Sequence, residues 1–193
     1  MKICKVEGCE KKSRAKGYCN KHYQQMKKYG KTLNRTTHDP NEIILKEDYA
    51  EIILYNVKSK EVARALIDLD DVERIKGYKW YLGHGYVSGV IKKRCIFLHR
   101  FLLNPPKENE IDHINHIPTD NRKSNLRVCT SSQNKMNQKS KGYYWKKEDK
   151  KWYVRIAVDR KTISLGLFNT EAEAKEVRKQ AEIKYFKEFR YKE

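Results

Sequence analysis

No stretch of the 193-residue chain approaches the roughly 18 uninterrupted apolar residues of a membrane-spanning helix, so no membrane partner is expected. The N-terminal M-K-I-C-K-V-E-G-C holds no apolar run of the kind a secretory signal uses, which leads us to expect an intracellular chain. Five cysteines are an odd number, ill suited to a closed disulfide framework, and an intracellular chain keeps its thiols reduced in any case. Acidic side chains are scarce: 25 against 43 Lys and Arg, a formal charge of +18. Apolar residues make up only 38%, but 13 Tyr, 5 Phe and 3 Trp argue against wholesale disorder. The length allows one ordinary domain or a few small ones, each with a modest core. A folded chain with a polyanionic partner follows, and nucleic acid is the first candidate.

The charge is unevenly placed. Residues 1–35 hold 11 basic and 2 acidic side chains, residues 36–111 hold 12 of each, residues 112–139 hold 5 and 2, and residues 140–193 hold 15 and 9. A neutral middle between basic ends reads as a scaffold flanked by phosphate-binding parts. The first part contains Cys4, Cys9, Cys19 and His22 in the spacing C-x4-C-x9-C-x2-H. Three thiolates and one imidazole are the donor set of a closed, structural Zn²⁺ site, with no position open for catalysis. Gly8 and Gly17 sit where the chain must reverse toward such a site. A segment this short with almost no aliphatic core needs a staple; a metal-free basic arm is the alternative. Lys21, Lys27, Lys28 and Lys31 lie in the following basic stretch and are candidates to hold phosphates.

In the neutral middle, residues 41–56 contain two short aliphatic runs that read as an antiparallel pair, with residues 63–68 as a third strand. Leu69, Val72 and Ile75 fit one or two helical turns, stopped at Gly77. G-Y-V-S-G-V-I and R-C-I-F return to strand, and L-H-R-F-L-L passes into a short buried helix closed by Pro105 and Pro106. Cys95, with no ligand-spaced neighbour, is expected in the core.

The chemistry lies further on. Leu98-His99-Arg100, Asp112-His113, Asp120-Asn121-Arg122, Asn125-Leu126-Arg127 and Gln133-Asn134 follow one another in fixed order. These pieces, over residues 98–137, resemble the HNH nucleases, in particular phage and intron-encoded homing endonucleases. Small zinc modules like residues 1–35 precede many of the phage members. The resemblance implies a ββα-metal fold, with His113 as general base, Asp112 and Asn134 on one Mg²⁺ or other divalent cation, and Asn125 fixing the imidazole. The chemistry suits those types: an imidazole takes a proton from water near neutrality, and hard oxygen ligands suit Mg²⁺. Asp120 and Arg122 are expected to lock the loop, His99 to be packed, Cys129 to be small and buried, and His116 to fill a turn or approach the phosphate.

Beyond the polar residues 138–141, K-W-Y-V-R-I-A-V alternates, with Trp152, Val154, Ile156 and Val158 facing inward. K-T-I-S-L-G-L-F repeats the pattern with Ile163, Leu165 and Leu167. Thr170 and Glu173 stand in capping-box spacing before a helix striped by Ala174, Val177, Ala181 and Tyr185. Three strands and one helix leave an open sheet face carrying Tyr144, Lys146, Tyr153, Arg155, Thr162 and Ser164. Gly142, Trp145, Trp152, Leu165-Gly166, Phe168 and Tyr185-Phe186 give residues 141–189 a resemblance to the DNA-binding domain of plant ethylene-response (APETALA-type) factors. That family places its sheet in the major groove; its Arg-rich first strand is here Tyr144 and Lys146, so the sequence read is not inherited.

The expectation is an α+β, multi-domain chain: a zinc-binding basic module (1–35), a strand-rich scaffold (36–97), a ββα nuclease core (98–139) and a DNA-binding sheet with one helix (140–193). Its activity would be site-specific cutting of double-stranded DNA, nicking as a monomer or making double breaks as a homodimer. Such a protein is expected in a bacterial cytoplasm, encoded by a phage or mobile element. A DNA-binding regulator with a silent nuclease fold is the rival, and an RNA-binding protein a more distant one.

Overall fold

A computed structural model describes residues 2–32 and 39–192 and shows an α+β chain built from several small sheets. The boundary expected between residues 35 and 36 lies outside the described residues. In the N-terminal segment, short antiparallel bridges (Ile3 with Lys12, Ala15 with Tyr18) fold the chain back before helix α1, Asn20–Tyr29. Gly8 and Gly17 adopt left-handed backbone, φ 73° and 83°, as chain reversals require.

Strands β1 (Ile43–Leu45), β2 (Ala50–Tyr55) and β3 (Glu61–Ile67) form an antiparallel sheet in sequence order. A helical turn, α2 (Val72–Ile75), ends at Lys76, and Gly77 is not in the left-handed region; the expected glycine stop is instead an ordinary turn. A second sheet follows, β4 (Trp80–Gly83), β5 (Tyr86–Ile91) and β6 (Arg94–Phe97), and runs without a linker into α3 (Leu98–Leu103). Strand β4 has no strong alternation and was not expected. Ile52, Leu54, Ile67, Trp80, Val87, Leu98 and Leu102 belong to one buried core. The division expected at residues 97/98 therefore falls inside that core. Cys95, expected inside, is exposed: it sits opposite Val90 on the solvent face of edge strand β6, with its sulfur 3.6 Å from the Tyr81 hydroxyl.

Strands β7 (Glu110–His113) and β8 (Leu126–Cys129) pair antiparallel, and α4 (Ser131–Met136) packs on them behind a full capping box of Thr130 and Gln133. The long β7–β8 loop is stitched to β3: Leu66 N donates to Thr119 O and Asn121 N to Leu66 O, at 2.8 Å each. Scaffold and hairpin are thus one structure.

The C-terminal unit has β9 (Tyr143–Lys146), β10 (Lys151–Val158) and β11 (Lys161–Phe168) in an antiparallel sheet, covered by α5 (Glu171–Phe186). The capping box of Thr170 and Glu173 is complete. Val154, Ile156, Ala174 and Ala181 are buried as expected, but Leu167 is not. A bulge shifts the register between Val154 and Arg155, so Val154 faces Gly166, Trp152 faces Phe168, and Leu167 joins Tyr153 on the outer face, 41% exposed. The residues 138–141 do not act as a free joint: Met136 of α4 packs with Ile156, Ala181 and Phe186 in one core. The turn after α5 reaches back to the hairpin, where Tyr191 stacks on His116 with ring centroids 4.5 Å apart.

Candidate active site

The β7 strand delivers two adjacent buried groups, Asp112 (6% exposed) and His113 (7%). Successive strand residues point to opposite faces, so each meets a different environment. Asp112 turns toward β8 and α4. Its Oδ2 accepts from Arg127 Nε and Nη2, at 2.8 and 2.6 Å. Asn137 Nδ2 donates to Oδ1 and Oδ2 at 3.0 and 2.9 Å, and approaches the His113 carbonyl at 3.2 Å. Asn134, the expected companion of Asp112, instead donates to Glu110 Oε2 at 2.7 Å. The fold therefore brings Asp112 to Asn137, one turn further along, and Asn134 to Glu110.

His113 enters an aromatic nest. His99 of α3 lies edge-on at 5.1 Å between ring centroids and Tyr86 at 6.0 Å, while Phe97 stacks on His99 at 5.4 Å. His99 is buried as expected, and desolvation, reinforced by His113 and Arg100, pushes its pKa down to about 3, so it stays neutral. Burial likewise lowers the pKa of His113, against the opposing pull of the Asn121 amide and the Asp112 and Asp120 charges. Among the described residues, His113 Nε2 and the amide oxygen of the fully buried Asn121 have no hydrogen-bond partner of standard geometry. A neutral imidazole is what a proton acceptor needs.

Asn125 is expected to fix the imidazole, yet its side-chain bonds hold the loop: Nδ2 donates to Asp120 O at 2.8 Å and Oδ1 accepts from Asn115 N at 3.0 Å. Asp120 is gripped by Arg122 through Nε and Nη2 at 2.8 and 2.7 Å and by Asn115 at 2.9 Å. Burial works against the Asp120 carboxylate, but the Arg122 and Asn115 donors outweigh it and hold its pKa below the ordinary 3.8. Cys129 is buried opposite Glu110, and desolvation with the Asp112 and Glu110 charges raises its pKa to about 11, an inert thiol. His116 sits in the loop at φ 62° against Tyr191.

At the N-terminus, the ligand atoms of Cys4, Cys9, Cys19 and His22 all lie within 4.8 Å of one another. Cys4 Sγ is 3.3 Å and Cys19 Sγ 3.6 Å from His22 Nδ1, and the Cys9 and Cys19 sulfurs are 3.9 Å apart. A zinc tetrahedron with Zn–S about 2.3 Å and Zn–N about 2.0–2.1 Å has edges of about 3.5–3.8 Å. The donor set fits that ion. Burial opposes ionisation of Cys4, but the Cys19 backbone N–H and His22 overcome it and lower its pKa to about 6. Lys27 and Lys28 are exposed in the last turn of α1, whereas Lys21 is taken by Asp39 at 2.8 Å.

On the outer face of the C-terminal sheet, Tyr144 pairs with Tyr153 and Lys146 with Lys151 on the neighbouring strand, and Arg155 with Ser164 and Ala157 with Thr162. All six expected face residues share this surface. The Arg155 guanidinium lies over the Tyr144 ring at 5.8 Å, and Lys146 pairs with Asp149. Arg178 was not anticipated: it is buried under the sheet, donates to Arg155 O at 2.6 Å and pairs with Glu182 at 2.7 Å. Only its position in the α5 stripe, beside Ala174 and Ala181, signals it.

Residues 104–136, from the end of α3 through α4, match the family described as HNH endonuclease. Asn137 lies one residue beyond that match. An uncharacterized HNH endonuclease of Acanthamoeba polyphaga mimivirus is 40% identical over 81 residues, which is 38% of this chain and 42% of that protein. The chain thus spans less than half the length of this relative. No solved structure matches the chain. Among the described residues, no helix is long and apolar enough to cross a membrane.

Proposed function

We propose that this protein is a homing-type, site-specific endonuclease that hydrolyses phosphodiester bonds of double-stranded DNA with one divalent cation and His113 as general base. The observation that carries the reading is the buried Asp112–His113 pair, a carboxylate beside a desolvated imidazole, inside the segment that matches the HNH endonucleases. His113 takes the proton of the attacking water on its imidazole, and its neutral state suits that role. Asp112 would be the anionic oxygen ligand for the cation, with Oδ1 the less occupied oxygen. The second ligand would be the amide oxygen of Asn134, as the family implies, while Asn137, whose Nδ2 donates to Asp112, holds the carboxylate in place. A cation so held would supply counter-charge for the five-coordinate phosphorus and the leaving oxygen. Asn125, Asp120 and Arg122 keep the loop in place, and Asn121 meets the imidazole.

Around this centre, Cys4, Cys9, Cys19 and His22 hold a structural Zn²⁺, Lys27 and Lys28 meet phosphates, and the outer face of β9–β11 reads the duplex as in ethylene-response-factor domains. One nuclease motif per chain corresponds to one strand cut per protomer. A supercoiled plasmid incubated with Mg²⁺ tests the reading: relaxation that disappears in His113→Ala supports it, and relaxation by both proteins refutes it. One observation favours a second reading, a DNA-binding regulator with a silent nuclease fold: Arg127 already neutralises Asp112. Sequence-specific binding without relaxation at any Mg²⁺ or Mn²⁺ concentration would establish that alternative.

A further inference from the structure

Because Met136 is buried in the core of the C-terminal unit, α4 and the outer face of the sheet stand in a fixed relation. Between them runs a cleft of about 980 Å³. Lys135 and Ser131 of α4 form one wall; Arg155, Arg160, Thr162 and Tyr144 form the other. Lys135, Arg155 and Arg160 are exposed, and among the described residues none of the three forms an ion pair. Arg155 is spread over the Tyr144 ring, at 5.8 Å, rather than spent on a carboxylate. Two acids also border the cleft, Glu108 and Asp159, and Asp159 is engaged by the Ser132 hydroxyl at 3.5 Å. Uncommitted cations alternating with hydroxyl donors are the pattern that grips a polyanionic backbone, with no base-reading geometry needed.

We propose that this cleft is a binding site for the sugar–phosphate backbone of duplex DNA, gripped by Lys135, Arg155 and Arg160 with the hydroxyls of Ser131 and Thr162. The duplex then passes without a gap from the reading sheet to the helix beside Asp112. Lys135, Arg160 and Ser131 thereby join the binding surface, although neither strand alternation nor the nuclease motif points to them. The identity of the polyanion rests on the nuclease reading; the grip itself rests on the cleft.

The test measures binding of the full chain to a fluorescent 40-bp duplex of random sequence, without added divalent cation, over a series of salt concentrations. The K135Q/R160Q double variant is compared with K175Q/K179Q, which removes two exposed cations of equal charge from the far side of α5. Each lost phosphate contact lowers the slope of log K against log salt by about 0.9, so the cleft variant should lose about 2 and bind on the order of tenfold more weakly. The α5 variant should match the parent. Equal behaviour of the two variants overturns the proposal, as does tighter binding of a duplex RNA of the same length. Plasmid relaxation by the parent is scored separately. A slope change without relaxation keeps the cleft and removes the nuclease reading, whereas relaxation with an unchanged slope removes the cleft alone.

Discussion

The side-chain amide of Asn137 bridges both oxygens of Asp112, at 3.0 and 2.9 Å, from a position one residue past the segment that matches the HNH endonucleases. Asn134, which the resemblance to HNH nucleases pairs with Asp112, is turned to Glu110. Groups that hold a metal-ligating carboxylate in place are typically worth 10- to 100-fold in activity. Asn137→Ala should therefore lower the plasmid nicking rate by about 10- to 100-fold with DNA affinity kept. A rate within twofold of the parent would show the contact to be idle. The same measurement on Asn134→Ala decides which amide matters more.

Elemental analysis should find one tightly held zinc per chain, lost in Cys4→Ser and in Cys19→Ser. Because residues 2–32 have little apolar core beyond Cys4 and Cys19, removal of the ion should abolish protease resistance of that segment and leave residues 39–192 folded. A segment equally resistant with and without the metal would contradict a structural ion.

Acid stability should report the Asp120–Arg122 lock. The pKa of Asp120 is depressed in the folded chain, so its contribution is complete above the ordinary 3.8 and is lost as the pH falls through the lower folded value. Asp120→Asn should cost stability at neutral pH and shrink that difference on the acid side below pH 3.8. Urea midpoints for both proteins from pH 7 downward check this; a gap that widens on acidification reverses the sign and refutes it.

Met136 ties two units together. Truncating a buried methionine to alanine costs about 2–5 kcal/mol. Met136→Ala should lower hydrogen-exchange protection in β10 and α5 as well as around α4, because the side chain packs on Ile156, Ala181 and Phe186. Loss confined to α4 would mean separate cores. Deletion of residues 141–193 should for the same reason expose Met136 and make the remainder aggregate, not merely lose site preference.

Gly142 gives a last, sharply local test. Its φ is 64°, and a Cβ there would lie 2.5 Å from the buried Arg178 guanidinium. Gly142→Ala should destabilise the C-terminal sheet by more than about 1 kcal/mol, measured by thermal unfolding, whereas Gly30→Ala, also at positive φ but with open space around it, should cost less.

Local pattern was sufficient wherever spacing alone fixes the chemistry or the periodicity. The C-x4-C-x9-C-x2-H set closed into one cluster because its ligands lie within a short chain with little else to do. The β1–β2–β3 order, the Thr170–Glu173 cap and the inward Val154 and Ile156 followed from neighbours in sequence, where propensity and alternation act. The Asp112–His113 pair was legible through the resemblance of its segment to the HNH nucleases, not through any local period. What tertiary structure decided involves residues whose partners are distant. The bulge that turns Leu167 outward depends on register with β10; exposure of Cys95 depends on β6 being an edge; burial of Arg178 depends on a backbone carbonyl across the sheet. The Asn137 contact arises because the residue that caps α4 falls against β7. The cleft exists because a single methionine at the end of that helix is buried in the next unit's core. No sequence period encodes such contacts, since each is fixed by packing between elements far apart along the chain.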